Sequence, residues 1–255
     1  MLIKKMLQAF YVLCLFIPAQ VYGVDDDICH TPDLADSYLL AISWQPSFCE
    51  THKNLMECKE MQRTHANDPK NGPSFTLHGL WPNKNECGKE YNFCGENEVL
   101  ELSDDVLRKL TRVMPNVKFG GDLHQREWVK HGTCQTKFTA DEYFNMAIAL
   151  VNDFSSSEVV NDFMTKYMGK RVAKKDLIAA LEKGFGESFV ENVTLQCDKK
   201  ILTEIRVELP TNFSAGDTLS ILTKQSSGKG LNSGSCGITF VIDQWGKSIQ
   251  TELRS

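Results

Sequence analysis

After its first two dozen residues the chain has no run long or apolar enough to cross a bilayer, which excludes membrane-spanning helices downstream. It also lacks an excess of positive charge: 28 Lys and Arg stand against 33 Asp and Glu, a formal net charge of −5. A chain so balanced is no general polyanion sponge, so any contact with nucleic acid has to be local and made by a few placed cations. There is no internal repeat, no low-complexity tract and no interior linker rich in proline or glycine. A solenoid or a string of flexibly joined modules is therefore unsupported, and a single domain over residues 24–255 is the simplest organisation.

What is present begins with MLIKK, the apolar run MLQAFYVLCLFI and small residues before the acidic VDDD. Two lysines, a short apolar core and a cut after Gly23 read as a secretory signal peptide over residues 1–23; an uncleaved membrane anchor is the competing reading. Its removal takes away Lys4, Lys5 and Cys14, carrying the charge from −5 to −7 and leaving eight of nine cysteines. An even number in an exported chain points to four disulfides in an oxidising compartment. The expected product is exported, to a bacterial periplasm or the extracellular space, with no membrane contact after cleavage.

Periodicity separates the elements. SYLLAISW (37–44) alternates Tyr38, Leu40, Ile42 and Trp44 with smaller or equally apolar residues, as a central strand does, and FTLHGLWP (75–82) reads as a second strand running into a turn. In ELSDDVLRKLTRVMP, Ser103 caps a helix carrying Val106, Leu107, Leu110, Val113 and Met114, and Pro115 stops it. Thr139 with Glu142, and Ser155 with Glu158, form capping boxes before two more helices. FVENVTLQC, ILTEIRVEL and GITFVID read as late strands. Helices between strands predict an α+β fold with a central, mainly antiparallel sheet flanked by helices and stapled by disulfides.

The chemistry concentrates in two segments. If HQREWVKHGTC (124–134) is helical up to Gly132, Glu127, Lys130 and His131 share one face and Trp128 turns into the core. Alone, that trio is most simply a surface ion pair beside a histidine. His78, in the apolar FTLHGLWP, changes the balance, because an unpaired imidazole is costly to bury there. Beside it Gly79, with no Cβ, lets other groups approach the backbone. Two imidazoles titrate near neutrality, so one can accept a proton while the other donates one, as in-line displacement at a phosphodiester by an internal hydroxyl requires. A lysine supplies charge for the crowded transition state, and a carboxylate can orient an imidazole.

FTLHGLWP and REWVKHGTC resemble the two active-site segments of the ribonuclease T2 family, in the family's order and at about its separation. Flanking likenesses in YLLAISWQPSFC, LTEIRVEL and CGITFVID extend over nearly the whole mature chain and look most like the bacterial periplasmic members, the ribonuclease I group. The resemblance implies a monomeric endoribonuclease that cleaves single-stranded RNA through a 2′,3′-cyclic phosphate with low base specificity. It implies no metal, no cofactor and no cleavage of DNA. His131 would be general base, His78 general acid, and Glu127 and Lys130 would stabilise the pentacoordinate phosphorus. Trp81 matches a base-stacking position, with core packing as its rival reading; Asn83 matches a base-reading position and Gln45 the second base site. Arg126 stands where many eukaryotic members carry a histidine that contacts phosphate. That departure keeps open an alternative, a catalytically weak RNA-binding or toxin-like relative.

The resemblance also implies disulfides Cys49–Cys58, Cys94–Cys134 and Cys197–Cys236, leaving Cys29–Cys87, with an exchange of Cys87 and Cys94 as the alternative. By ligand type alone His131, Cys134 and Glu127 could be read as a zinc site, but an oxidising compartment favours a disulfide at Cys134. Asn192-Val-Thr194 and Asn212-Phe-Ser214 fit the N-glycosylation pattern, which chance often produces.

Overall fold

The computed structural model describes residues 26–67, 75–95, 99–226 and 234–245; the signal-peptide reading of residues 1–23 lies outside them. In chain order the elements are β1 (Ser37–Trp44), α1 (Gln45–Thr51), α2 (Met56–Asn67), β2 (Phe75–Asn83), α3 (Asp104–Val113), α4 (Pro115–Lys118) and α5 (Leu123–Lys130). There follow α6 (Ala140–Ser155), α7 (Glu158–Tyr167), β3 (Lys170–Ala173), α8 (Lys174–Phe185), α9 (Glu187–Glu191), β4 (Val193–Asp198), β5 (Ile201–Leu209), α10 (Leu219–Gln225) and β6 (Thr239–Ile242).

The expected α+β fold is found. The sheet runs β2-β1-β5-β6-β3, with β4 forming a hairpin against β5. Its pairings are antiparallel except for a short parallel contact between β5 and β6 at Ile201 and Val241. β1 is central, as its unbroken apolar character requires. Leu40 pairs with Leu80 and Val207, and Ile42 with Leu77 and Ile205, so one face of the three strands is wholly apolar. Helix α6 covers that face with Tyr143, Phe144, Ala147, Val151 and Phe154, all buried. The opposite face of the same strands carries Ser43, Glu204, Arg206, His78 and Trp81, and is where the chemistry collects.

Local signals account for the helix boundaries. Ser103 Oγ accepts from Val106 N at 3.4 Å to start α3, and Pro115 closes it by opening α4 at its first position. The Thr139–Glu142 capping box is present in full. The second box is not: α6 runs on through Ser155, and Ser157 instead caps α7, accepting from Val160 N. The leading FVEN of FVENVTLQC also departs from the strand reading. Phe189 is buried in α9, and Asn192 turns its amide back to Ser188 O, so β4 begins only at Val193.

Four disulfides staple the chain: Cys29–Cys87, Cys49–Cys58, Cys94–Cys134 and Cys197–Cys236, the pairs the resemblance implies. Asn192 is 1% exposed and its amide is held by Ser188 O and Thr223 O, which puts the first sequon out of reach in the folded chain. Asn212 is at the surface, accepting from Lys137 Nζ.

Candidate active site

The register of β2 explains how the site is built. Ala41 pairs with Gly79 and Ile42 with Leu77, so His78 is the extra residue of a bulge. In a regular strand His78 and Trp81, three apart, would point to opposite faces. The bulge resets the alternation, and the two rings meet edge to face at 5.1 Å between centroids. Gly79 makes room beneath them: a Cβ there would fall 2.3 Å from Trp81 Nε1 and 2.8 Å from Glu127 Oε2.

α5 supplies the facing wall. Glu127 is buried on it, and Trp128, on the other side, packs into the core against Tyr143. The helix ends at Lys130. His131 is its C-cap with φ −121°, and a short 3-10 turn, Gly132–Cys134, follows, so the expected helix to Gly132 stops two residues early. Trp128 is the physical reason: Gly132 lies so close to the indole that a Cβ would be 2.2 Å from Trp128 Cε3, and the chain turns tightly there. Leaving the helix, the His131 ring lies against Trp81 at 5.0 Å between centroids.

The cluster therefore forms around one indole. Trp81 Nε1 donates to Glu127 Oε2 at 2.6 Å, and Glu127 Oε1 is 3.7 Å from His78 Nε2. His78 Nδ1 meets Glu204 Oε2 at 2.6 Å, and Arg206 pairs with Glu204 while lying over Trp81 at 5.2 Å. Lys130 is exposed at the end of α5, its carbonyl accepting from Phe93 N at 2.7 Å. Cys134 is joined to Cys94 and has no thiolate to give a metal.

The two imidazoles are driven in opposite directions. Burial opposes a charge on His78, but the hydrogen bond and charge of Glu204, with the charge of Glu127, outweigh it and raise its pKa. At His131 burial, then the charges of Lys130 and His78, all act against protonation and lower the pKa to about 3. Burial raises the pKa of Glu127 against the pull of His78, the Trp81 hydrogen bond, Lys130 and Arg126.

The base-binding candidates lie around this cluster. Gln45 is buried in a cleft of about 460 Å³ shared with His78 and Arg126, and its Oε1 accepts from Thr76 Oγ1 at 2.7 Å. Arg126 is exposed and paired with Asp122 one turn back. Asn83 sits at the end of β2, its amide donating to Ser37 Oγ at 3.2 Å. Glu204 and Arg206 were not singled out in the sequence. The signal for them was an acidic residue in the period-two pattern of LTEIRVEL, at a position that proves 6% exposed.

Comparison with known proteins adds to this geometry. The Ribonuclease T2 family model matches residues 35–224. The chain is 28% identical to Ribonuclease I of Escherichia coli over 240 residues, covering 83% of this chain and 87% of that one. It is 31% identical to Ribonuclease S-6 of Nicotiana alata over 161 residues, 58% of this chain and 61% of the other. Among solved structures it resembles ribonuclease MC1 from bitter gourd seeds, with a TM-score of 0.56 and 17% identity over 81% of this chain and all of that one.

Proposed function

This chain belongs to the ribonuclease T2 family, and from that premise we propose that it is an exported, metal-independent endoribonuclease that cleaves single-stranded RNA through a 2′,3′-cyclic phosphate. His131 takes the proton of the ribose 2′-hydroxyl as O2′ attacks phosphorus. His78 gives its Nε2 proton to O5′ as the P–O5′ bond breaks. Lys130 and Glu127 stand beside the phosphoryl group at the crowded transition state, the lysine offsetting its added negative charge. Base, acid and cation are all side chains, so the step as written calls on no metal. DNA lacks the nucleophile and is not cleaved.

One observation carries the reading: two imidazoles on one indole, with opposite displacements of their proton affinities. A raised pKa suits the ring that must donate, and a lowered one suits the ring that must accept. Low base preference follows from the internal engagement of Gln45 by Thr76 and of Asn83 by Ser37, which leaves neither amide free to read a base fully. Trp81 and Arg126 then hold base and phosphate with little regard to sequence. Four disulfides support passage through an oxidising compartment, consistent with removal of residues 1–23 and release of a monomer to a periplasm or beyond.

The test is incubation of the mature protein with RNA, DNA and 2′-O-methylated RNA, with and without EDTA. Cleavage of RNA alone, unaffected by the chelator and leaving cyclic phosphate ends, is the expected result. Cleavage of methylated RNA, or loss of activity in EDTA, defeats the mechanism; binding of RNA without cleavage turns the reading to a non-catalytic relative.

A further inference from the structure

His78 faces carboxylates from different elements at both nitrogens: Nδ1 is bonded by Glu204 on β5 at 2.6 Å, and Nε2 stands 3.7 Å from Glu127 on α5. Burial alone would keep Glu204 protonated, but the hydrogen bond and charge of His78 together with Arg206 lower its pKa. An ionised carboxylate accepts and cannot donate, so Nδ1 carries the proton and Nε2 is the nitrogen left to exchange one. Arg206 closes a ring of contacts. Its Nε is 2.5 Å from Glu204 Oε1 and its guanidinium lies over Trp81, which donates to Glu127, which in turn faces Nε2.

A glutamate two residues from an arginine on a central strand is an expensive way to fill a sheet face, since each charge has to be desolvated. The register gives it a task. Glu204 pairs across β1 with Ser43, and Ser43 with Thr76, next to Leu77 and the bulged His78. The carboxylate thus lies under the one residue of β2 whose side chain the ladder does not orient.

We propose that Glu204 is a positioning residue for the reaction proposed above, locking the His78 ring so that Nε2 is presented to the leaving oxygen, with Arg206 holding Glu204 in that orientation. As the P–O5′ bond breaks and Nε2 gives up its proton, the ring becomes the neutral Nδ1–H form and still donates to Glu204. It stays in register to take a proton from water in a later hydrolysis of the cyclic phosphate, with no rotation between the steps.

The charged and titratable groups nearest His78 are Glu204 and Arg206 from β5, Glu127 from α5 and His131 beyond it; Glu57, Asp122 and Arg126 line the cleft on one side, Asp198 the cleft on the other, and His52 both. Among the described residues Glu204 alone is bonded to the ring. Because the inference rests on the ribonuclease reading, two independent measurements are needed: steady-state kinetics against pH on an RNA substrate, and NMR titration of the His78 ring nitrogens in the free protein.

In Glu204→Gln, kcat should fall about 100-fold, because a glutamine can turn its amide nitrogen to Nδ1 and hold the wrong tautomer. KM should change little, and both the basic limb of the profile and the His78 titration should move to lower pH. Glu204→Asp should hold each close to its wild-type value, and Arg206→Gln, which frees Glu204 to turn away but also removes a charge that opposes protonation of His78, should lower kcat by less than Glu204→Gln does. A folded Glu204→Gln with an unmoved titration and basic limb, or with a loss confined to KM, overturns the proposal. Should Glu204→Gln not fold, an unmoved titration and basic limb in Glu204→Ala overturn it equally. If the wild-type protein leaves RNA intact, the ribonuclease reading fails, and the ring titration alone decides whether Glu204 controls His78.

Discussion

Neither histidine differs in kind from the other; the roles proposed for them rest on their surroundings. The side chain of His78 is 36% exposed at its bulge and has two carboxylates against it. His131 has Lys130 beside it, and its Nδ1 is buried with no hydrogen-bond partner among the described residues. An acid works only when protonated, so activity falls as pH rises through the raised pKa of His78, above 6.5. A base works only when neutral, so activity falls as pH drops through the His131 value of about 3. The profile of kcat/KM, which reports the free enzyme, should therefore be level from mildly acidic pH to above 6.5 and then fall; an acid limb near neutrality would contradict the assignment. His78→Ala and His131→Ala should each lower kcat by about a hundredfold to ten-thousandfold while the circular dichroism spectrum stays unchanged. Lys130→Ala should lower kcat more than it raises KM if its charge serves mainly the transition state, and comparison of the two constants decides that.

Two elements do most of the positioning, and each depends on a glycine where a neighbouring side chain comes close. β2 needs Gly79 so that the Trp81 indole and the Glu127 carboxylate can meet over its backbone; α5 ends where Gly132 lies on Trp128. Gly79→Ala should break the bond between Trp81 and Glu127 and lower kcat by about 10-fold or more, because a displacement of about 1 Å at a reacting group costs on that order or beyond. Tryptophan fluorescence should report the moved indole, and an unchanged spectrum with unchanged kcat would show that the strand absorbs the methyl group elsewhere. At this scale the sequence was readable where signals are local. Ser103, Thr139 and Pro115 mark boundaries because a hydroxyl three residues from an amide, or a missing N–H, acts within one turn. Ser155 misled for the same reason: it has Glu158 three residues on and fits the pattern, whereas Ser157, three before Val160, caps with its hydroxyl alone, and only the length of the buried α6 face decides between them. The bulge at His78 left no such mark, since it is a relation between β2 and β1 and belongs to neither alone.

Across the whole molecule, what the sequence hid was long-range. Glu204 meets His78 over a separation of 126 residues, by way of two strand pairings, and an alternating strand does not announce which neighbour it will take. The cysteines also act at a distance, yet their number and the family likeness exposed them. Of the four cross-links, Cys94–Cys134 bears most directly on the site. It joins the segment after β2 to the turn after α5, three residues past His131, where Phe93 N already bonds to Lys130 O. Closing a loop between cysteines 40 apart removes unfolded-chain entropy worth about 4 kcal/mol at most, and the measured share is commonly 2–4 kcal/mol. Replacing both cysteines with alanine should lower stability by about that amount in urea unfolding. It should also reduce kcat at temperatures well below unfolding, because His131 is the C-cap of α5, held to the helix by its N–H to Glu127 O, and the turn that follows it depends on that anchor. Removing Cys49–Cys58, which spans 9 residues from α1 to α2, should cost less stability, the closed loop being shorter, and should leave the basic limb of the pH profile in place. Equal losses of kcat from the two replacements would mean that the cross-links act on global stability alone and that the anchor at His131 is not needed for turnover.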